Sequence, residues 1–586
     1  MSRAAAKPSR ATAAPPVALT LDGVPLETDA GTTVQDLLRR QGVSCWLPEE
    51  VPAEVSAIPS TRCPLLRIVE IDGQHQPLAM AGDRPVRAGM RLATRSPALR
   101  ERIRERLEVL RRNRECLLVR ELQESLAGEA AASGRLDLED RAAWKFPERR
   151  AEPSLLHDPN RCIRCEACID TCRETQDVSA LRMDSDTGVQ IDEARCTRCG
   201  QCIASCPLGF PARLEPFLAW MECGLCPYTR PAGAMREVDH VDEVVAALRD
   251  PSLTVMVEFA PSIRASLGDA FGLPPGRLVT QKLYTALRRA GFDQVWDTNF
   301  AADLTIMEEG HELIARVKKK RPLPLLTSCS PAWVKYAETF YPDLLPHVST
   351  AKSPQQMFGA VAKTFGAREL KRDPAAVRVV SIMPCTAKKF EAARPELRGA
   401  ARYWRERPGK AGMPDAPDVD WVLTTREAAT LLKRLGLDLK AMPAGRPDPW
   451  LGAYTGAATL FGRTGGVMEA ALRTAVEVLT GRPMRPLRYA NLGGEDGIKR
   501  AELKAGGLTL RVAVAHGLGN AKTVCDSIRS GGEFAGYHFI EIMACPGGCV
   551  GGGGQLVPNT HGALRARTAG LDRSEEHTSE LQSPLC

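Results

Sequence analysis

The 586-residue chain contains 19 cysteines, and their grouping is more informative than their number. Eight fall in two runs. Cys162, Cys165, Cys168 and Cys172 stand in CIRCEACIDTC, and Cys196, Cys199, Cys202 and Cys206 stand in CTRCGQCIASCP. Both runs have the spacing C-x2-C-x2-C-x3-C. Three close thiolates of such a run wrap one face of an iron–sulfur cubane, and the fourth reaches across to a second cubane. Two runs in tandem point to iron–sulfur clusters rather than to zinc. The pattern also reads as metal binding rather than as a disulfide framework. The implied chemistry is electron relay, which must serve something else in the chain.

Three further cysteine motifs lie far apart downstream. LLTSCSPAW carries Cys329 and Ser330, IMPCTAKKFE carries Cys385, Lys388 and Glu391, and EIMACPGGCVGGGGQ carries Cys545 and Cys549. None has zinc-finger spacing. Each follows an apolar stretch (LPLL, VVSI, HFIEI), as expected for loops at strand ends. The glycine run 551–554 lets backbone approach something bulky. Three separated loops converging on one place would hold a large inorganic cofactor.

The rest of the chain supplies the frame. Hydrophobic content of 44% and charged content of 25% are those of a globular protein, and the length suggests several domains. No apolar run approaches the ~20 residues needed to span a bilayer. The N-terminal MSRAAAKPSRATAAPP is basic but lacks the apolar centre of a secretory signal, so a cytoplasmic location is expected. Arginines are scattered rather than striped, which argues against nucleic-acid binding despite a formal charge of +7.

The cysteine-rich segment resembles a two-cluster ferredoxin, with Arg173 where the first run's proline would fall and Pro207 closing the second. The three downstream motifs are similar, in the same order, to those of FeFe-hydrogenases. The resemblance continues through EFAPSIRASLG, DTNFAADLTIMEEGHEL, STAKSPQQMFGA and FGRTGGVMEAALR and covers roughly residues 250–570. It implies a multidomain α/β fold whose catalytic part has two lobes of mixed sheets flanked by helices. It also implies a ferredoxin hydrogenase that interconverts protons, electrons and hydrogen.

The implied cofactors are two 4Fe–4S clusters and an H-cluster. The H-cluster joins a 4Fe–4S cubane through one cysteine sulfur to a two-iron subcluster bearing CO, cyanide and azadithiolate. By position, Cys385, Cys545 and Cys549 resemble its ligands, with Cys549 as the bridge. Lys388 would donate to a cyanide, a cationic donor suiting an anionic acceptor. Met383 and Met543 would pack beside the irons, and Ser262, Pro354 and Gln355 would line the pocket. The implied proton relay is Cys329, Glu309, Ser349, Glu312 and Arg316; Glu309 and Glu312, three apart, would share a helix face. Implied partners are a ferredoxin or similar electron carrier, maturation factors for the two-iron subcluster, and an NAD(P)-linked or small subunit.

The sequence also departs from the family. Its first motif usually has two adjacent cysteines, the first passing protons and the second binding the cubane. Here the pair is Cys329-Ser330, and serine is a hard ligand, poorly matched to a soft iron–sulfur site. Three outcomes are open: Ser330 ligates as alkoxide, the loop shifts so that Cys329 ligates, or the cubane is labile. The first two suit an otherwise intact site better.

Residues 17–98 look like a β-grasp 2Fe–2S domain stripped to Cys45 and Cys63, with Leu66 where a third cysteine would fall. Residues 99–150 resemble a helical His/Cys3 cluster region offering only Cys116, so both accessory clusters are expected to be absent. Residues 1–16 are expected to be disordered. The ferredoxin segment is assigned to 151–212 and the catalytic domain to 246–572. Between them, 213–245 carries Cys223 and Cys226, which would form a redox disulfide, bind metal with a third partner, or mark a plain loop. Cys525 reads as a buried helical cysteine. Residues 573–586, beginning RSEEHTSELQS and ending at Cys586, read like a translated sequencing adapter, so the natural catalytic domain is expected to run further.

Two other readings compete with the enzyme: a hydrogen- or redox-sensing homologue, and a non-catalytic iron–sulfur assembly factor. The chain has no convincing nucleotide-binding motif, so an NAD(P)-linked, electron-bifurcating complex would need a partner to supply one.

Overall fold

The computed structural model describes residues 16–41, 68–72, 74–77, 85–94, 96–99, 148–159, 162, 166–184, 188–206, 234–319, 322–407, 414–482, 484, 497–505, 507–557 and 559–576. Cys45, Cys63, Leu66, Cys116, Cys165, Pro207, Cys223, Cys226 and Cys586 lie outside the described residues. The chain divides into two compact units.

The first unit holds β1 (Val17–Leu21), β2 (Val24–Thr28), β3 (Ile68–Ile71), β4 (Gln74–Pro77) and β5 (Arg91–Ala93) in the order β2-β1-β5-β3-β4. Alternating residues such as Leu19 and Leu21, or Val69 and Ile71, share one face of their strands. They form a core with Val34, Leu37 and Leu38 of the helix Val34–Arg40.

The second unit begins with β6 (Arg149–Ala151), β7 (Leu155–His157), the hairpin β8 (Leu181–Asp184) and β9 (Gly188–Ile191), and β10 (Met235–Glu237). Two short helices, Ala167–Asp170 and Gln201–Ser205, each follow a residue in the left-handed region: Glu166 at φ 60° and Gly200 at φ 73°. Each helix carries the third cysteine of its run, Cys168 or Cys202, so the two motifs repeat one local structure.

Eight strands follow: β11 (Thr254–Phe259), β12 (Gln294–Asp297), β13 (Leu325–Leu326), β14 (Val377–Met383), β15 (Trp421–Thr424), β16 (Ile498–Ala505), β17 (Leu508–His516) and β18 (Phe539–Met543). They make two sheets, β12-β11-β14-β15 and β13-β18-β17-β16. The first is parallel throughout. The second is mixed, with β16 antiparallel to β17. A parallel sheet needs both faces covered, so its strands read as continuous apolar runs; every residue of β11 is buried. Ligand sites in such sheets form beyond the carboxyl ends of the strands. The three motif loops lie at those ends, with Cys329 after β13, Cys385 after β14 and Cys545 after β18.

Candidate active site

The second ferredoxin run lines a cavity that a cysteine from the first run completes. Cys196, Cys199, Cys202 and Cys172 face it, with Leu155, Val178, Ile191 and Met235 among the apolar walls. Cys172 Sγ accepts the Ala180 N–H at 3.3 Å. Burial raises these thiols, to about 11 at Cys196 and about 12 at Cys199. Buried thiols resist ionising alone and become thiolates when metal replaces the proton. A cavity lined by four cysteines suits an iron–sulfur cluster. Cys162, Cys168 and Cys206 remain for a second one; their partner in the run, Cys165, is outside the described residues.

Cys199 abuts the glycine run. A Cβ on Gly553 would collide with the Cys199 carbonyl and lie 2.7 Å from Gly200. Gln201 Nε2 donates to the Gly551 carbonyl at 3.1 Å, and Thr386 Oγ1 to the Arg198 carbonyl at 2.7 Å. The Gly554 amide donates to the Pro384 carbonyl at 2.9 Å. The loops after β14 and β18 and the second ferredoxin run therefore meet backbone to backbone, which only glycine allows.

Cys385, Cys545 and Cys549 gather there. Burial first, and then the neighbouring Cys385 thiol, pushes Cys549 up to about 12 and Cys545 well above the ordinary thiol value. Lys388 is 8% exposed. Its Nζ donates to Glu391 Oε2 at 2.8 Å and to the Cys329 carbonyl at 3.2 Å. Burial alone would lower its pKa, but Glu391 and the surrounding thiols outweigh that and hold the ammonium charged. Gln355 Nε2 donates to the Lys388 carbonyl at 3.2 Å, while its buried Oε1 has no protein partner. Ser262, Pro354, Met383 and Met543 are all buried around the same loops. The donor set fits an iron–sulfur group with anionic ligands: thiols for iron, an ammonium for an anion, and an amide oxygen left open.

Cys329 and Ser330 face different ways. Cys329 packs with Ile306, Phe461 and Met543. Ser330 Oγ accepts the Ala544 N–H at 3.3 Å, one residue before Cys545.

The expected relay residues lie in one region, and hydrogen bonds join Ser349, Glu312 and Arg316. Glu309, fully buried on the helix Asn299–Lys319, accepts from the Ser328 amide at 3.3 Å and acts electrostatically on Cys329. Burial raises its carboxyl to about 7, opposed only in part by the Ser328 amide and the nearby Ser349 hydroxyl. Ser349 Oγ donates to Glu312 Oε2 at 2.9 Å, and Arg316 Nη2 to Glu312 Oε1 at 2.6 Å. Exposed Thr350 gives Glu312 its amide at 3.0 Å.

Three residues here escaped the sequence reading. Glu541, wholly buried on β18, accepts the Gly465 and Met468 amides at 2.7 and 2.8 Å, and burial raises its carboxyl to about 7. Its signal was a lone acid inside the apolar run HFIEIM. Gln555 donates to the Cys549 carbonyl at 3.2 Å. His516 accepts the Gly547 amide at 3.2 Å. Neither of the last two stands out in sequence.

Paired ferredoxin motifs set against a second cysteine pocket, at the ends of parallel strands, define a redox protein built on iron–sulfur cofactors. Comparison with known proteins narrows that class. The iron only hydrogenase large subunit, C-terminal domain, matches residues 253–553, and a 4Fe-4S dicluster domain matches residues 161–210. The NADP-reducing hydrogenase subunit of Solidesulfovibrio fructosivorans is 38% identical over 94% of this chain and 90% of its own length. The periplasmic hydrogenase large subunit of Nitratidesulfovibrio vulgaris is 50% identical over 54% of this chain and 72% of its own length. A structure of the FeFe-hydrogenase of Chlamydomonas reinhardtii superposes with a TM-score of 0.51 at 38% identity, covering 59% of this chain and 91% of that one. The chain belongs to the iron-only (FeFe) hydrogenase family, and it is an oxidoreductase of the hydrogenase type that carries iron–sulfur cofactors. Among its described residues no helix is long and apolar enough to cross a membrane.

Proposed function

We propose that the protein interconverts protons and hydrogen at an H-cluster held by Cys385, Cys545, Cys549 and Ser330. Electrons pass through two 4Fe–4S clusters on the ferredoxin runs. The observation that carries this reading is the meeting of Lys388 with buried Cys545 and part-buried Cys385 and Cys549, beside buried Glu309 and the hydrogen-bonded Ser349, Glu312 and Arg316. The H-cluster, when bound, supplies the redox chemistry itself, as cofactors generally do. The chain's own residues position it, exclude water and move protons.

Cys329 Sγ is the innermost proton-bearing atom. Glu309 holds the next proton, at a carboxyl whose raised pKa lets it gain and lose one near neutrality. Ser349 Oγ links it to Glu312, which Arg316 holds in place. Lys388 donates to an anionic ligand of the group, and Met383, Met543, Ser262, Pro354 and Gln355 enclose it. Ser330, beside Cys545, takes the cubane side, and Cys329, beside Glu309, takes the relay side. The cubane on Cys172, Cys196, Cys199 and Cys202 is the nearer electron donor, because its loop touches the glycine run. The domain bounds assigned from the sequence, and a cytoplasmic location, belong to the same proposal.

Ferredoxin is the proposed carrier. A second reading, a subunit of an NAD(P)-linked complex, is favoured by the near full-length likeness to a relative named an NADP-reducing hydrogenase subunit. Loading with a synthetic two-iron cofactor, followed by infrared spectroscopy and hydrogen assay with reduced ferredoxin or with NADPH, tests the proposal. CO and cyanide bands with ferredoxin-driven turnover are expected. Bands without turnover favour a sensor, and loaded cubanes without bands overturn the active-site assignment.

A further inference from the structure

The backbone amides that serve cysteine sulfurs in this chain come from several positions. The amide of Arg198 serves Cys196 and that of Gln201 serves Cys199, while Cys385 is served by Lys388 before Ala387 and Cys202 by Ile203. Cys545 is served differently. It takes a backbone hydrogen bond from Gly553, whereas the amide two residues on, Gly547, donates to His516 Nδ1 at 3.2 Å. The Gly547 carbonyl is engaged too, by the Thr464 amide at 3.2 Å. Both polar groups of Gly547 are thus held, on a backbone at φ +76°.

His516 is placed for this. It ends β17 directly opposite Met543, two residues before Cys545. Accepting an N–H at Nδ1 requires that atom to be unprotonated, which puts the ring in its neutral Nε2–H form. Burial, and then Lys499, lower its pKa to about 4, in keeping with a neutral ring.

We propose that His516 is a positioning residue that withholds the Gly547 amide from the Cys545 sulfur and so keeps the reduction potential of the cluster on Cys545 low. Hydrogen bonds to cluster sulfurs stabilise the more negative, reduced state and raise the potential. A donor turned away leaves the cluster a stronger reductant, which favours electron delivery to protons. The inference rests on Cys545 being a cluster ligand.

The test uses the loaded full chain. His516→Phe keeps a planar ring without an acceptor, and His516→Asn keeps an acceptor near the Nδ1 position. The potential of the Cys545 cluster is read by electron paramagnetic resonance and infrared redox titration, with iron content and thermal midpoint measured alongside. His516→Phe is expected to shift the potential upward, and His516→Asn to stay at the wild-type value. A residue that merely packs would change the thermal midpoint and leave the potential alone, and that result in His516→Phe overturns the inference. Should His516→Phe take up no cluster, His516→Asn decides: wild-type potential with full iron supports the role, and a raised potential overturns it. Failure of the wild-type chain to bind iron at Cys545 would instead overturn the reading of the site.

Discussion

Glu391 Oε2 accepts the Lys388 ammonium at 2.8 Å, and the same oxygen accepts Ser353 Oγ at 2.9 Å and Gln355 Nε2 at 3.2 Å. One carboxylate thus anchors the pocket's cation and two further donors, with both members of the ion pair about nine-tenths buried. Breaking a buried pair by removing one partner costs about 3–5 kcal/mol, because the other charge is stranded. Glu391→Leu should lower the thermal midpoint markedly and lose the infrared bands of the two-iron group. Lys388→Met with Glu391→Leu should recover most of the thermal loss but not the bands. Equal destabilisation of single and double variants would refute the coupling.

Glu309 should set the pH response of turnover. Its carboxyl, raised to about 7 by burial, is half-protonated near neutrality, where a relay group works best. Glu309→Gln cannot release a proton from its side chain. Turnover should fall by ~10²–10⁴-fold, the usual weight of a positioned acid–base group, while the infrared bands stay in place. A variant with wild-type turnover would remove Glu309 from the relay.

Glu541 carries a stability consequence of opposite sense to an ordinary paired carboxylate. Its folded pKa, about 7, lies above the ordinary carboxyl value of 4.5, so the folded state binds its proton more tightly than the unfolded one. The contribution is therefore complete below the unfolded pKa and is lost as pH rises through about 7. The shift corresponds to a change on the order of 3 kcal/mol. Thermal midpoints should fall between about pH 5 and about pH 8 in the wild type, and Glu541→Gln should flatten that slope. An unchanged slope would show that Glu541 does not titrate there.

Much of this site was legible because metal chemistry fixes the spacing of its ligands. Cys196, Cys199 and Cys202 sit within one turn-and-helix unit, so their pattern survives in one dimension. The three catalytic loops were legible as strand ends, because parallel strands are apolar on both faces and their loops punctuate them. The relay was different. Glu309 and Glu312 resemble any acidic helix face until Ser349, far along the chain, closes the contact, and only the family resemblance singled them out. His516 was hidden for the same reason. Its partner is a backbone amide across a strand register, and nothing in AVAHGLGN announces β17 lying against β18. The Cys329-Ser330 question also needed three dimensions, since adjacent residues in a loop turn toward different neighbours. Ser330→Cys supplies the test: a fourth thiolate on the cubane side should slow iron loss to a chelator and raise the cubane's potential, thiolate being the softer ligand. Unaltered iron loss would place Ser330 off the cluster.

Gly553 separates electron delivery from catalysis. A Cβ there would strike the Cys199 carbonyl and crowd Gly200 at 2.7 Å, forcing the second ferredoxin run away from the loop that carries Cys545 and Cys549. The cysteines on each side are unchanged, and alanine keeps the backbone amide that serves Cys545, so both iron–sulfur sites should still load. Gly553→Ala should therefore keep hydrogen–deuterium exchange, which needs protons and the two-iron group but no external electrons. It should lose most of the rate driven by a reduced carrier, because the two clusters are pushed apart. The ratio of the two activities is the measurement. A proportional loss of both would mean that the substitution damages the catalytic pocket itself. Retention of both would mean that electrons do not cross at the Cys199–Gly553 contact.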